Sequence, residues 1–391
     1  MLPRTMRKRK IAINTGGGDA PGLNAVVHAA TLAAVGRGWD VVGIRHGYRG
    51  LFEPDGLMKL DRDAVGGITH LGGTILGTAN RADPFKYPTV PPEGGPAVPT
   101  DRSREMIGRL RQEGVEGIIA IGGDGSMRLA CDLFERGLPP VVGVPKTIDN
   151  DVLGTDVTFG FDTAVSIATE ALDRLHTTAE AHERVMVVEV MGRHAGWIAI
   201  MSGLAGGADA ILIPEVPYRL EPVAEKIMQR ERMGRPFSIV VVAEGAVPIG
   251  GRETVRQAGD AFRSVPVLGG VGERVAAGLG ALTGKEVRSL VLGHLQRGGG
   301  PSSADRVLAL RFGAAAVAEL AAILGDPSPT ATADPSMRCG MVGAVGGIIQ
   351  LVPLTIPVSG IRKVPTTRGV ILSARAIGIA FGDEPEGHFA S

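Results

Sequence analysis

The sequence predicts an α/β fold of two lobes, each a mostly parallel sheet flanked by helices, with a functional cleft between them. Three observations carry the prediction. Short apolar runs alternate with helix-period stretches from Ile11 onward. Glycines and carboxylates cluster just beyond those runs, where open parallel sheets place their ligand crevice. The chain has 391 residues, enough to bury more than one core.

Ile11-Ala12-Ile13 reads as the first strand and runs into the turn Gly16-Gly17-Gly18-Asp19-Ala20-Pro21-Gly22. Leu23, Val26, Val27 and Ala30 then recur at helical spacing, and Val41-Val42-Gly43-Ile44 resumes as strand, completing a βαβ unit. A helix over 102–113, a strand over 117–121, a helix over 126–136 and a strand over 141–144 continue the alternation. Pro88, Pro91, Pro92, Pro96 and Pro99 make 87–100 an extended surface loop, because proline lacks the N–H that a helix or central strand needs. A second lobe begins near residue 155. Its first helix carries the stripe Ala164, Ile167, Ala168, Ala171, Leu172 and Leu175, with Asp162 placed to cap its start. Strands follow at 185–190, 210–213 and 239–242, and strand 288–292 is expected to return to the first lobe. Residues 326–336 form a Pro/Thr/Ala linker before a strand-rich end. The expected division is 1–155, completed by 270–325, for the first lobe and 156–269 for the second. Residues 326–391 are a linker and C-terminal segment packing back on the lobes.

Lys and Arg together number 41, as do Asp and Glu, leaving no net charge and no electrostatic footprint for nucleic acid. Arg7-Lys8-Arg9-Lys10 is a solvated lead-in, and no apolar stretch of the secretory kind follows it. No run of about 18 uninterrupted apolar residues occurs, so no membrane span is expected. Cys131 and Cys339 make no disulfide framework and fit a cytoplasmic protein.

Each strand-end motif has a bland and a chemical reading. Gly16-Gly17-Gly18-Asp19 makes a tight turn, or an anion cradle of backbone N–H groups ahead of a helix. It matches neither GxGxxG nor GxxxxGK[ST]. In Gly122-Gly123-Asp124-Gly125-Ser126, Asp124 either caps a helix or reaches hydrated magnesium while the glycines admit a polyphosphate. Thr147-Ile148-Asp149-Asn150-Asp151 offers Asx turns, or the two carboxylates that phosphoryl transfer needs, one for the proton and one for the metal. Arg184, Arg193, Arg288 and Arg297, with His182 and His294, form a cationic set suited to clamping phosphate. The histidines lack zinc-ligand spacing.

From Lys10 to about Gly325 these motifs, in this order, resemble the 6-phosphofructokinase family. They comprise Gly17 to Asn24, Gly122 to Ser126, Pro145 to Asp151, Met191-Gly192-Arg193 and Leu292 to Gly299. The resemblance implies phosphorylation of the 1-hydroxyl of fructose 6-phosphate by ATP with Mg2+, the first lobe holding the donor and the second the sugar phosphate. Carried over, Asp149 is the base, Thr147 helps hold the reacting phosphoryl and Arg193 lies over it. Asp124 stands at the metal, with Asp151 in its outer shell. Gly17, Arg81, Gly123, Asp124, Gly125 and Ser126 correspond to the donor site. Thr147, Ile148, Asp149, Met191, Gly192, Arg193 and Glu244 correspond to sugar contacts. Arg184 and Arg288 match 6-phosphate arginines that the family supplies from a neighbouring subunit, and His294, Leu295, Gln296 and Arg297 complete that pocket. A homodimer or homotetramer with shared substrate sites follows.

The sequence departs from the family at three places. His28 and Leu32 replace arginines that bind ADP as an effector, Asn80 is an extra residue before Arg81, and Lys146 replaces a glycine of the plain ATP users. Lysine there typifies pyrophosphate-using and mixed-substrate members, yet Gly125 is the ATP-type residue where pyrophosphate users carry aspartate. The donor reading is ATP, with pyrophosphate as the alternative and a non-catalytic sugar-phosphate binder as the distant one. NAD and lipid kinases share a Gly-Gly-Asp-Gly loop but lack segments 145–151 and 294–297.

Overall fold

The computed structural model describes residues 8–79, 83–257, 267–326, 328–332, 334 and 337–389. Strand β1 (Lys10–Thr15) leads through the glycine turn into helix α1 (Leu23–Gly36), then β2 (Asp40–Ile44) and β3 (Leu57–Leu60). A two-stranded ribbon, β4 (Tyr87–Thr89) with β5 (Val98–Thr100), precedes α2 (Ser103–Gln112), β6 (Val115–Gly122), α3 (Asp124–Glu135) and β7 (Val141–Pro145). The second half begins with α4 (Phe161–Ala181), β8 (Val185–Val190), α5 (Trp197–Ala205), β9 (Ala210–Leu212), α6 (Leu220–Arg232) and β10 (Ser238–Ala243). A second ribbon, β11 (Val255–Gln257) with β12 (Val267–Leu268), leads to α7 (Val271–Thr283), β13 (Val287–Val291) and α8 (Ser303–Ile323). The chain closes with β14 (Cys339–Val345), β15 (Ile348–Pro353) and α9 (Val370–Ala376).

Two sheets result. One has the order β15-β14-β7-β6-β1-β2-β3, parallel from β14 to β2 and antiparallel at both edges. The other, β13-β8-β10-β9, is wholly parallel. The central strands of both bury two faces, which explains their continuous apolar runs. Ile11 and Ile13 pack with Val26 of α1 and Phe312 of α8, while Ala12 faces Leu110 of α2 and Met127 of α3. In the second sheet Met186 and Val188 meet Leu172 and Ile198, and Val185 and Val187 meet Ile227 and Leu279. No helix among the described residues is long and apolar enough to cross a membrane.

Four expectations need correction. Strand 288–292 does not return to the first lobe: Val287 to Val291 pair in parallel with Val185 to Glu189 of β8. The buried Glu189 carboxylate accepts from Gly270 N at 3.2 Å and Gly272 N at 2.8 Å, tying the start of α7 to the second sheet and with it the strand that follows. Residues 270–325 are therefore split, and of them α8 packs on α1 in the first lobe. Segment 87–100 is not merely a loop but the β4–β5 ribbon, where Pro88 opposes Pro99 and solvent tolerates the missing donors. Gly160, at φ 94°, rather than Asp162, is the N-cap of α4. Asp162 instead accepts from Ser302 Oγ at 2.6 Å, joining α4 to the start of α8. The C-terminal segment contributes β14 and β15 to the first sheet, while Ile371 and Ala374 of α9 join the second core.

Candidate active site

The turn after β1 is held open by its neighbours. Gly16 N donates to Ile121 O at 2.8 Å, Thr78 Oγ1 donates to Gly17 O, Lys146 Nζ donates to Gly18 O, and Arg297 Nη1 donates to Asp19 O at 2.8 Å. With these carbonyls occupied, the loop presents its remaining backbone as a shallow cradle, and Gly17 adopts the left-handed φ of 74° that glycine alone takes without strain. Across the cradle, β6 ends at Gly122, and α3 starts with Asp124 behind Gly123 as N-cap. A Cβ on Gly122 would collide with Ser126, so glycine is needed for the close approach. A Cβ on Gly125 would meet nothing within 4 Å.

The loop after β7 is fixed more tightly. Lys146 N donates to Gly122 O at 2.9 Å, and Asp149 N donates to Thr147 Oγ1 at 3.1 Å. Asn150 adopts φ 52°, and its Oδ1 accepts from Thr158 N at 3.0 Å. Thr158 Oγ1 donates to Thr147 O at 2.8 Å. These contacts hold Asp149 with its Oδ1 buried and without a hydrogen-bond partner among the described residues; Arg193 Nη1 is buried and unpartnered in the same way. Arg193 follows β8 through Met191, whose N–H donates to the buried Gln296 Oε1 at 3.4 Å, and Gly192 at φ 138°. Gly245 N donates to Gly192 O at 3.1 Å, fixing the Glu244 turn beside it.

Burial dominates the electrostatics. It raises the Asp149 carboxyl above the usual range, against the opposing charges of Arg297, Arg193 and Lys146. Burial, then repulsion from Asp149 and Asp124, pushes Asp151 to about 7. Glu244 is also pushed to about 7, by burial and then by Asp149. Lys146 falls to about 8 through burial and repulsion from Arg297. The site thus holds carboxylates that resist ionising together and cations that resist crowding together. An anionic ligand bearing a divalent cation relieves both.

One cavity of about 520 Å³ takes in Gly17, Gly123, Asp124, Gly125, Ser126, Lys146, Thr147, Asp149, Asp151 and Arg297. Arg193 and Glu244 adjoin it through Asp149. Ile148 is fully buried and packs with Ala20 and Phe161, so its side chain is a core group. His294 and Leu295 are exposed on the turn after β13. Arg184 and Arg288 do not reach the cleft of their own chain. Arg184 precedes β8 whereas Arg193 follows it, and six strand residues at about 3.3 Å each separate the two by roughly 20 Å. Both arginines pair with Glu286 instead, at 2.8 and 2.6 Å. Arg81 lies outside the described residues. Sequence reasoning missed Asn14, Tyr48, Asp83, Phe85, Arg128, Leu129 and Asp132, which also line the cavity. Asp83-Pro84 was a usable signal: Asp83 caps the Pro84–Lys86 turn by accepting from Phe85 N at 2.9 Å.

Comparison with known families matches residues 10–320 to the family described as Phosphofructokinase. An "ATP-dependent 6-phosphofructokinase" of Chloroflexus aurantiacus is 48% identical over 379 residues, covering 97% of this chain and 99% of that protein. A "Pyrophosphate--fructose 6-phosphate 1-phosphotransferase" of Amycolatopsis methanolica is 52% identical over 311 residues, 79% of this chain and 86% of that protein. Among solved structures, Pichia pastoris phosphofructokinase in the T-state superposes with a TM-score of 0.74 at 31% identity. The match covers 92% of this chain and spans 36% of that longer one.

Proposed function

This chain belongs to the phosphofructokinase family, and we propose that it transfers the terminal phosphoryl of ATP to the 1-hydroxyl of fructose 6-phosphate with Asp149 as the general base. The observation that carries the assignment is the pair of buried, unpartnered groups where the lobes meet, Asp149 Oδ1 and Arg193 Nη1. Nothing among the described residues satisfies them, so a substrate hydroxyl and a phosphoryl oxygen are their natural partners. A sugar hydroxyl becomes acidic only as it attacks, and a carboxylate of raised pKa accepts its proton late in a loose transition state. Arg193 supplies a preorganised donor for the charge on the moving phosphoryl. Thr147 orients the base through the Asp149 N–H.

The residues present fit magnesium. Asp124 and Asp151 share the cavity and repel one another there, which suits an ion that prefers one or two carboxylates plus phosphate oxygens. Asp124 would hold it, with Asp151 beyond. When bound, it neutralises phosphate charge. Gly17, Gly123 and Ser126 then border the donor phosphates, and Glu244, Met191 and Gly192 the sugar.

ATP is favoured as donor because the space beside Gly125 is open to a nucleotide's α-phosphate. Lys146 supports the second reading, pyrophosphate, but a cation deep in the cradle serves either donor. Arg184 and Arg288, remote from their own cleft, suit a neighbouring subunit's 6-phosphate site together with His294, Leu295, Gln296 and Arg297.

Side-by-side assays with ATP and pyrophosphate, on wild type and Asp149→Ser, test the proposal. ATP is expected to give the higher kcat/KM, and loss of the base to lower turnover by about 10²–10⁴-fold at near-normal sugar affinity. More than half of wild-type turnover in Asp149→Ser would sink the base assignment. Gly125→Asp, for which there is room, is expected to cripple ATP use more than pyrophosphate use.

A further inference from the structure

Between β15 in the first sheet and α9 against the second core, the chain passes beside the catalytic loop. We propose that Arg362 in this passage is a positioning residue, clamping the Asn150–Asp151 turn of one lobe to the Arg193 loop of the other. The inference rests on the reading of Asp149 as base.

On the first-lobe side, Arg362 Nη1 donates to Asn150 O at 2.9 Å and Arg362 N donates to Asp151 O at 2.8 Å. Val152 and Ile361 form an antiparallel bridge alongside. Asn150, at a left-handed φ of 52° that asparagine tolerates better than most residues, turns the chain between the two carboxylates whose separation matters. On the second-lobe side, the Arg362 guanidinium lies 4.3 Å from the Trp197 ring centroid, and Trp197 Nε1 donates to Arg362 O at 2.9 Å. Trp197 opens α5 directly after the Arg193–Gly196 turn. Glu215 extends the staple, accepting from Gly196 N at 3.1 Å and from Val364 N at 2.9 Å.

Arg362 therefore touches the loop that carries Asp149 and, through Trp197, the residue that follows the Arg193–Gly196 turn, without lining the cavity that would hold substrates. Its side chain serves backbone and ring, so a planar guanidinium is needed for both at once. Lysine offers a point charge and no plane. The clamp sets how far the base stands from the phosphoryl-facing arginine.

Arg362→Ala in the full chain is expected to lower kcat with ATP by about 10–100-fold, since misplacing reacting groups by an ångström costs on that order, while KM for fructose 6-phosphate stays within about threefold. Arg362→Lys should fall between. A second readout does not depend on turnover: amide exchange at 150–152 should quicken about tenfold in Arg362→Ala while exchange in β1 and β6 is unchanged. If wild type itself failed to phosphorylate the sugar, the functional reading would fall, and the exchange result would still decide whether the clamp exists. Wild-type kcat in Arg362→Ala, unchanged exchange at the loop, or exchange quickened throughout both sheets would each overturn the proposal. Should that variant not fold, Trp197→Phe removes one hydrogen bond of the same clamp. It must lower kcat by a smaller factor at unchanged KM, and wild-type kcat there overturns the idea equally.

Discussion

A buried polar atom left without a hydrogen bond costs about 1–3 kcal/mol, and Asp149 Oδ1 and Arg193 Nη1 both sit in that position. Folding alone gives no reason to keep them, so Asp149→Ser is expected to melt no lower than wild type even as turnover collapses. Differential scanning fluorimetry on unliganded protein reads this directly, and a drop of several degrees would mean that Asp149 is structural. Glu244 allows a sharper statement because its pKa rises from 4.5 to about 7 through burial and the nearby Asp149. A raised folded-state pKa means that the native protein holds its proton more firmly than the unfolded chain does. Its stabilising contribution is therefore complete below about 4.5 and is lost as pH rises through about 7. Glu244→Gln cannot lose that proton. The stability difference in favour of Glu244→Gln should widen from pH 4.5 to pH 7.5 and then level off, at no more than about 3 kcal/mol. Urea unfolding at three pH values checks the sign, and a difference that shrinks with pH contradicts it.

At the scale of elements, α1 and α8 cross closely because Gly313 has no side chain: a Cβ there would lie 2.6 Å from Val26 O and 2.9 Å from Ala29 Cβ. Backbone cannot step aside, so Gly313→Ala should destabilise by about 1–3 kcal/mol despite alanine's better helix propensity. Gly108 in α2 is the control. Nothing lies within 4 Å of its would-be Cβ, so Gly108→Ala should stabilise by about 0.5–1 kcal/mol. Chemical denaturation of the pair should therefore give opposite signs. The same scale shows what the sequence could and could not reveal. β1, β6, β7 and β8 were legible because each is an apolar run closed by a polar, glycine-containing loop, and those loops carry Asp124, Asp149 and Arg193. β13 was placed in the wrong sheet because its own five residues do not encode membership; the Glu189 carboxylate on the start of α7 decides it. Phe85 was missed since it enters the cavity from a turn without glycine, and Arg362 because it reaches the catalytic loop from the distant C-terminal segment.

For the whole molecule, the position of Arg288 is the decisive fact. It stands near the start of β13, opposite Met186, whereas the cleft opens at the strand's other end. Among the described residues β13 pairs only with β8 and leaves an open edge carrying Leu290 and Val291 at 37% and 45% exposure, with Leu295 on the following turn at 69%. Open edges with apolar side chains are usually covered, and a second copy of this chain would bring Arg184 and Arg288 toward a foreign cleft. If sites are shared in this way, Asp149 and Arg288 of one functional site come from different chains. Asp149→Ser and Arg288→Ala are each expected to be nearly inactive at low fructose 6-phosphate. When the two are unfolded and refolded together in equal amounts, a site is intact only where its base comes from the arginine mutant and its arginine from the base mutant. Random assembly makes that about one site in four, in a dimer or a tetramer alike. Recovery of about 25% of wild-type activity is thus expected, with none when the variants are mixed without exchange of subunits. If co-refolding restores nothing although light scattering shows mixed oligomers, each chain completes its own site, and Arg288 would have to reach its own cleft by a rearrangement of β13 that its pairing with β8 opposes.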